Sequence, residues 1–138
     1  MTLLNRLAAA ALISGGLLLP PVQAYDLQYR QNGTSFSAPH LRQIFSGSLP
    51  AEYDQRFPDQ RWTTYLLLDA HANKDLVAIT LGLSPRVGPT KALLPLATFS
   101  VIEPLPRTAA QWQQLLGGVA SQYARLMLDN RSRILNQR

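Results

Sequence analysis

Residues 61–83 read RWTTYLLLDAHANKDLVAITLGL, and this stretch decides the fold. Over 61–71 apolar side chains fall on both faces of an extended chain, which is typical of a central strand in a sheet. Residues 72–74 form a short polar break that predicts a hairpin turn. A second strand is expected over 76–83, where alternate positions are aliphatic. The two strands therefore pair as an antiparallel hairpin.

Two more strands extend this sheet. Residues 94–103 predict a third meander strand after a loop at 84–91 that contains Pro and Gly. At the other end of the chain, apolar and polar side chains alternate over 25–30, the period of a half-buried strand. Asn32-Gly33 next to it favours a tight turn, after which residues 34–36 would pair back on this strand in a hairpin. The N-terminal element is expected to be a single strand or a hairpin.

Two segments connect these strands. Ser37 is a suitable N-cap for a short helix that ends within 47–50. Its apolar side carries Leu41, Ile44 and Phe45. Residues 51–60 contain Pro58 and charges of both signs after Pro50, and the pattern predicts an irregular loop.

The last element is a long C-terminal helix that begins near Thr108 and reaches toward Gln137. Thr108 and Gln111 fit a capping box. Apolar residues then recur every three or four positions, which predicts one buried stripe. The stripe comprises Trp112, Leu115, Leu116, Val119, Tyr123, Leu126, Met127 and Ile134. The Gly117-Gly118 pair inside it predicts either a kink or, as we favour, close approach of the helix to the sheet.

Together these elements predict an α+β fold with two layers. It comprises a three-stranded antiparallel meander, an N-terminal strand or hairpin, a short helix and a long C-terminal helix packed on one sheet face. The chain has no cysteine, so the fold is expected to be held by packing without disulfides. Residues 25–138 are expected to form this single domain.

Residues 1–24 have the three parts of a cleavable secretory signal peptide. Arg6 is the charged residue of the n-region, residues 7–19 are uncharged, and Val22-Gln23-Ala24 is a small-x-small cleavage sequence. The uncharged stretch is shorter than the roughly 20 residues that span a bilayer. The sequence therefore predicts a periplasmic or secreted protein.

Charge and composition restrict the class of partner. The formal net charge is +5, from 13 basic and 8 acidic residues, and the basic residues are scattered singly except in the C-terminal tail. A nucleic-acid-binding surface would show a denser basic stripe, so this partner class is not expected. The same scatter fits no more than weak peripheral contact with an anionic membrane surface. Neither a cofactor nor a metal is expected from any motif.

The candidate binding residues lie in one segment. Side chains of the types enriched at interface hot spots are packed between positions 53 and 62. They are Tyr53, Arg56, Phe57, Arg61 and Trp62. The alternative is that Phe57 and Trp62 pack beneath the segment and close the core.

Asp69 and His71 are the strongest candidates for chemistry. They share a strand face, with Asp75 across the turn, which would suit a metal site or two members of a serine hydrolase triad. No Gly-x-Ser-x-Gly sequence frames a serine, however, and two polar residues at a hairpin end are commonly solvated. We expect His71 to be partly exposed and hydrogen-bonded to Asp69.

Three functional hypotheses follow. The favoured one is a non-enzymatic binding or accessory protein of the bacterial cell envelope, which meets a protein partner or envelope component through the sheet face that the long helix leaves open. The second is an inhibitor or immunity-type protein that blocks a secreted enzyme. The third is a small hydrolase that uses Asp69 and His71.

Overall fold

The computed structural model describes residues 26–86 and 96–136. The predicted signal peptide at 1–24, most of the loop at 84–91 and the first two residues of the predicted strand at 94–103 lie outside the described residues. The elements in chain order are β1 (Asp26–Asn32), α1 (Ala38–Ser48), α2 (Ala51–Arg56), β2 (Trp62–His71), β3 (Leu76–Pro85), β4 (Ala97–Pro104), α3 (Ala109–Asp129) and α4 (Arg131–Leu135).

The four strands form one mixed sheet in the order β1-β2-β3-β4. β2, β3 and β4 form the expected antiparallel meander, and a 3₁₀ turn at Ala72–Lys74 joins β2 to β3. The α+β class predicted from the sequence is confirmed. β1 pairs with β2 in parallel, with Leu27 opposite Thr64. α1 and α2 provide the crossover that a parallel connection requires.

The N-terminal element is a strand, and the alternative hairpin is wrong. A type I′ turn needs positive φ at both central residues, but only Gly33 has it, at 76°. The Gln31 side chain also hydrogen-bonds to both backbone polar groups of Phe36. Its Nε2 donates to the Phe36 carbonyl at 2.8 Å, and its Oε1 accepts from the Phe36 N–H at 2.8 Å. Residues 34–36 thus bond to a side chain and do not form a second strand.

Residues 51–56 form helix α2, so the predicted irregular loop over 51–60 is wrong in this part. Pro50 precedes the first helical residue, Glu52 and Asp54 lie in the first turn, and Arg56 lies in the last turn. This charge order complements the helix dipole. Glu52 and Arg56 also approach to 3.8 Å across one turn. These interactions within one helical turn stabilise α2, whereas the sequence pattern predicts a loop because Pro50 and Pro58 flank the segment.

Helix α3 begins as predicted but ends earlier. Thr108 Oγ1 accepts from the Gln111 N–H at 3.1 Å, and Gln111 Oε1 accepts from the Arg107 N–H at 2.7 Å. The helix stops at Asp129. Ile134, the last apolar residue of the predicted stripe, is buried but belongs to the separate helix α4.

The glycine pair lies inside an unbroken α3, and the close approach is to another helix. A Cβ at Gly117 would lie 3.0 Å from Ser48 Oγ of α1, whereas one at Gly118 would meet nothing within 4 Å. The expected contact of Gly117 with the sheet is therefore corrected. Trp112 lies at the edge of the predicted stripe, since it packs against the core but is only half-buried, and it contacts Phe36 edge-to-face with ring centres 5.2 Å apart. Leu126 was expected in the buried stripe but is 40% exposed.

One hydrophobic core lies between the helices and one face of the sheet. From the sheet it includes Leu27, Trp62, Leu66, Leu68, Val77, Ile79, Leu81 and Leu83. From the helices it includes Leu41, Phe45, Tyr53, Leu116, Tyr123 and Met127. Among the described helices, none is both long and apolar enough to cross a membrane.

Candidate functional site

The sheet has a second face on which aliphatic side chains remain accessible. Strand residues alternate between the two faces, so the neighbours of buried core positions point away from the helices. On this open face Leu67 is 39% exposed, Leu76 is 38% exposed and Ile102 is 71% exposed. The exposure of Ile102 is high for a large β-branched side chain at an interior position of a strand.

The accessible aliphatic residues are neighbours in the sheet register. Ala78 of β3 pairs with Ile102 of β4, and Leu76 lies two residues from Ala78 on the same face. Leu67 of β2 pairs with Thr80, which is also two residues from Ala78. Side chains directly opposite each other in a sheet have Cβ atoms about 5 Å apart, and diagonal neighbours are about 7–8 Å apart, still within reach of long side chains. Leu67, Leu76, Ala78 and Ile102 are therefore contiguous, and we call them the apolar patch.

A polar border follows the patch along the sheet. Thr80 and Ser100 face each other across β3 and β4, and their hydroxyl oxygens lie 2.8 Å apart. Beyond them, the Tyr65 ring lies across Gly82, where any Cβ would overlap the ring. Burial raises the pKa of the Tyr65 phenol. Tyr65 therefore closes this part of the face with a neutral aromatic surface.

An ion pair holds the end of the open face beyond Tyr65. Asp26 Oδ2 lies 2.7 Å from Arg86 Nη2 and accepts from Thr63 Oγ1 at 3.1 Å. Both charged side chains are partly buried. The pair neutralises the charges at this end and links β1 to the end of β3.

Asp69 and His71 lie side by side on the open face, where they are the register partners of Ala78 and Leu76 in β3 and border the apolar patch along β2. His71 Nε2 lies 3.0 Å from Asp69 Oδ2, and both side chains are exposed. Asn32 Nδ2 donates to the other carboxylate oxygen of Asp69 at 3.2 Å. The partial exposure of His71 is confirmed, and its imidazole lies within 3.0 Å of the Asp69 carboxylate as an adjacent side chain of the same face.

The remaining groups needed for a metal site or a hydrolase triad do not converge on this pair. Asp75 binds Arg107 instead. Within residues 26–86 and 96–136, no three potential metal ligands cluster together. No hydrogen bond joins His71 to a serine in that part of the chain. Ser46 and Ser48 of α1 donate to backbone carbonyls of their own helix.

The five predicted binding residues between positions 53 and 62 differ in their exposure to solvent. Tyr53, Phe57 and Trp62 are buried in the core, whereas Arg56 and Arg61 are exposed. The Phe57 ring centre lies 5.2 Å from Tyr53 and 5.5 Å from Trp62. Packing of Phe57 and Trp62 beneath the segment is the arrangement that the structure shows. The three aromatics hold α2 and the start of β2 against α3.

A buried hydroxyl cluster fixes Tyr53 in that position. Its Oη bonds with Thr64 Oγ1 of β2 and lies 2.7 Å from Tyr123 Oη of α3. Burial, with the neighbouring Tyr53, raises the pKa of Tyr123 well above its usual value. The cluster therefore stays neutral and joins three elements of the core.

Sequence reasoning identified the open face as a surface but not the residues that make it apolar. Leu67 is one of many apolar residues in a strand that is apolar on both faces. For Ile102 the sequence predicts a strand but not that its side chain is exposed. The signal that was available is alternation around the buried positions of β3 and β4. No protein-family model, curated protein or solved structure matches this chain.

Proposed function

We propose that this protein is a non-enzymatic binding or accessory protein of the bacterial cell envelope, exported by its N-terminal signal peptide. It docks a protein partner on the open sheet face, with the apolar patch at the centre of the contact. The observation that carries this proposal is the 71% exposure of Ile102 beside Leu67 and Leu76.

The charges of the open face favour a protein as the partner. The carboxylates of Asp69 and Asp26 lie beside His71 and Arg86, and Arg30 of β1 lies opposite Leu67, so the open face carries charges of both signs without a large excess of cations. A surface that tracks nucleic-acid phosphates needs an excess of cations. An apolar centre bordered by charges of both signs and by hydroxyl groups is an arrangement found in protein interfaces. Thr80 and Ser100 supply such hydroxyl groups.

Site-specific crosslinking tests the proposal. A photoreactive amino acid placed at position 102 should crosslink a defined envelope protein in living cells, and the same group at position 126 should not. Leu126 is a matched control because it is 40% exposed but lies on α3, away from the open face. Crosslinks of equal yield and identity from both positions would count against the open face.

Binding of the purified partner gives the quantitative test. A charge at the centre of an interface must be desolvated without a counter-charge, so Ile102→Asp should weaken binding by about 30-fold or more, as for a hot-spot residue. Leu126→Asp should leave the Kd unchanged. A catalytic activity lost in His71→Ala would instead support the hydrolase hypothesis.

Export has its own measurement. If residues 1–24 are a signal peptide, the periplasmic or secreted protein should begin at Tyr25 by intact mass. A mass that retains Met1 would contradict this part of the proposal and leave the docking surface to be judged separately.

A further inference from the structure

A second, separate cleft lies where the chain leaves β1 and where it enters α3. It holds about 650 Å³ and is open to solvent on one side. We call it the Trp112 cleft, lined by Phe36, Ser37, His40, Arg107, Thr108 and Trp112. None of these residues belongs to the apolar patch of the open sheet face.

Three aromatic rings form one wall of the cleft. Phe36 is in edge contact with both neighbours, with its ring centre 5.7 Å from His40 and 5.2 Å from Trp112. Trp112 is only half-buried although it begins the apolar side of α3. Aromatic walls with a few convergent polar groups are typical of small-ligand sites. The wall therefore offers a surface for an apolar group.

Two hydroxyl groups of the cleft can donate a hydrogen bond to a ligand. Ser37 Oγ accepts from the His40 N–H at 3.3 Å, and Thr108 Oγ1 accepts from the Gln111 N–H at 3.1 Å. Because each oxygen is used as an acceptor, each hydroxyl hydrogen remains to donate to a ligand.

The Arg107 guanidinium of the cleft is also a hydrogen-bond donor. Arg107 bonds to Asp75 through Nη2 and has further N–H groups in its guanidinium. Apart from Asp75, which pairs with Arg107 from outside the lining, none of the described residues that line the cleft brings a carboxylate to it. A ligand that complements it must bring acceptors, and a carboxylate is the acceptor that Arg recognises best.

We propose that the Trp112 cleft binds the C-terminus of a peptide whose last residue is apolar or aromatic. The terminal carboxylate would accept from Arg107 and the hydroxyls of Ser37 and Thr108, and the last side chain would pack on the rings of Trp112 and Phe36. A C-terminal residue is suited because it carries both groups on one Cα atom. This site does not depend on the open sheet face.

Intrinsic fluorescence tests the proposal directly. The chain has two tryptophans, and Trp62 is buried at 2% exposure, so quenching and spectral shifts caused by a ligand in this cleft should come from Trp112. Protein recovered after expression of the full-length chain is titrated with three peptides: acetyl-Gly-Gly-Phe as the free acid, the same peptide as its C-terminal amide, and acetyl-Gly-Gly-Gly as the free acid. We expect saturable binding of the first and at least tenfold weaker binding of the other two.

Variants connect the preference to the residues. Arg107→Gln should bring the acid and the amide to similar Kd values, and Trp112→Phe should abolish the fluorescence change. Arg125→Gln removes an exposed arginine elsewhere on α3 and should keep the full preference. Thermal unfolding of each variant shows that it is folded, and calorimetric titration provides a readout without Trp112.

The outcomes are decisive in both directions. Equal affinity for acid and amide in the unmodified protein, or a preference that survives Arg107→Gln, would overturn the proposal. Absence of saturable binding by either method would overturn it as well. Ile102→Asp should still bind the free acid, so failure of this site and failure of the sheet-face site can be told apart.

Discussion

Replacing Tyr53 by Phe removes one oxygen from the centre of the buried hydroxyl cluster. That oxygen bonds with Thr64 Oγ1 and lies 2.7 Å from Tyr123 Oη, and all three residues are buried. Loss of a partner leaves a buried polar group unsatisfied, at a cost of about 1–3 kcal/mol. Because Tyr53 serves two partners, Tyr53→Phe should lower the free energy of unfolding by about 2 kcal/mol or more.

Tyr123→Phe provides the matched comparison. It removes a hydroxyl from the edge of the cluster, and Tyr53 keeps its bond to Thr64. The expected loss is about 1 kcal/mol, the net value of one hydrogen bond. Tyr29→Phe removes a hydroxyl from an exposed tyrosine and should change stability by less than about 0.5 kcal/mol.

Denaturant unfolding at pH 7 measures all three variants, and the expected order of destabilisation is Tyr53, Tyr123, Tyr29. If Tyr53→Phe cost no more than Tyr29→Phe, or less than Tyr123→Phe, the reasoning that makes Tyr53 the centre of the cluster would be refuted. Such a result would also reopen the interpretation of Tyr53 as a surface binding residue.

The raised pKa of Tyr123 adds a pH dependence of known sign. The folded protein holds the Tyr123 proton more tightly than the unfolded chain, in which a tyrosine ionises near pH 10. The contribution to stability is complete below about pH 10 and is lost as the pH rises toward the folded pKa. In Tyr123→Phe the decrease in stability above pH 10 should be smaller than in the unmodified protein.

Three glycine substitutions should change stability differently, and denaturant unfolding measures each of them. Gly82→Ala should destabilise by about 1–3 kcal/mol, because the new Cβ would displace the Tyr65 ring, and an unchanged midpoint would contradict that packing. Gly118→Ala should stabilise by up to about 1 kcal/mol, because the Cβ enters open space and alanine favours the helix. Gly117→Ala should gain less, since its Cβ would press on Ser48 Oγ; equal gains at the two positions would argue against the close approach of α1 and α3.

Local pattern alone determined the elements whose signals extend over many residues. The β2–β3 hairpin follows from apolar periodicity on both sides of a short polar break, and α3 follows from a cap at Thr108 and a helical apolar repeat. Each of these depends on residues close in the chain, so the expectation needed no knowledge of distant partners. The accessibility of His71 and its proximity to Asp69 also follow from their positions on a single strand.

The tertiary structure decided how these elements meet. The strand period of β1 does not specify a neighbour, and its parallel pairing with β2 depends on the crossover through α1 and α2. Trp112 fits the apolar stripe of α3 by its spacing but is only half-buried and contacts Phe36. The contacts along the whole of α3 decide which side of the helix is fully covered. The arrangement of the elements also decides that Tyr53, Phe57 and Trp62 are buried and that Ile102 is exposed. Hydrophobicity shows that a side chain favours burial, whereas the packing of distant elements determines which side chains are covered.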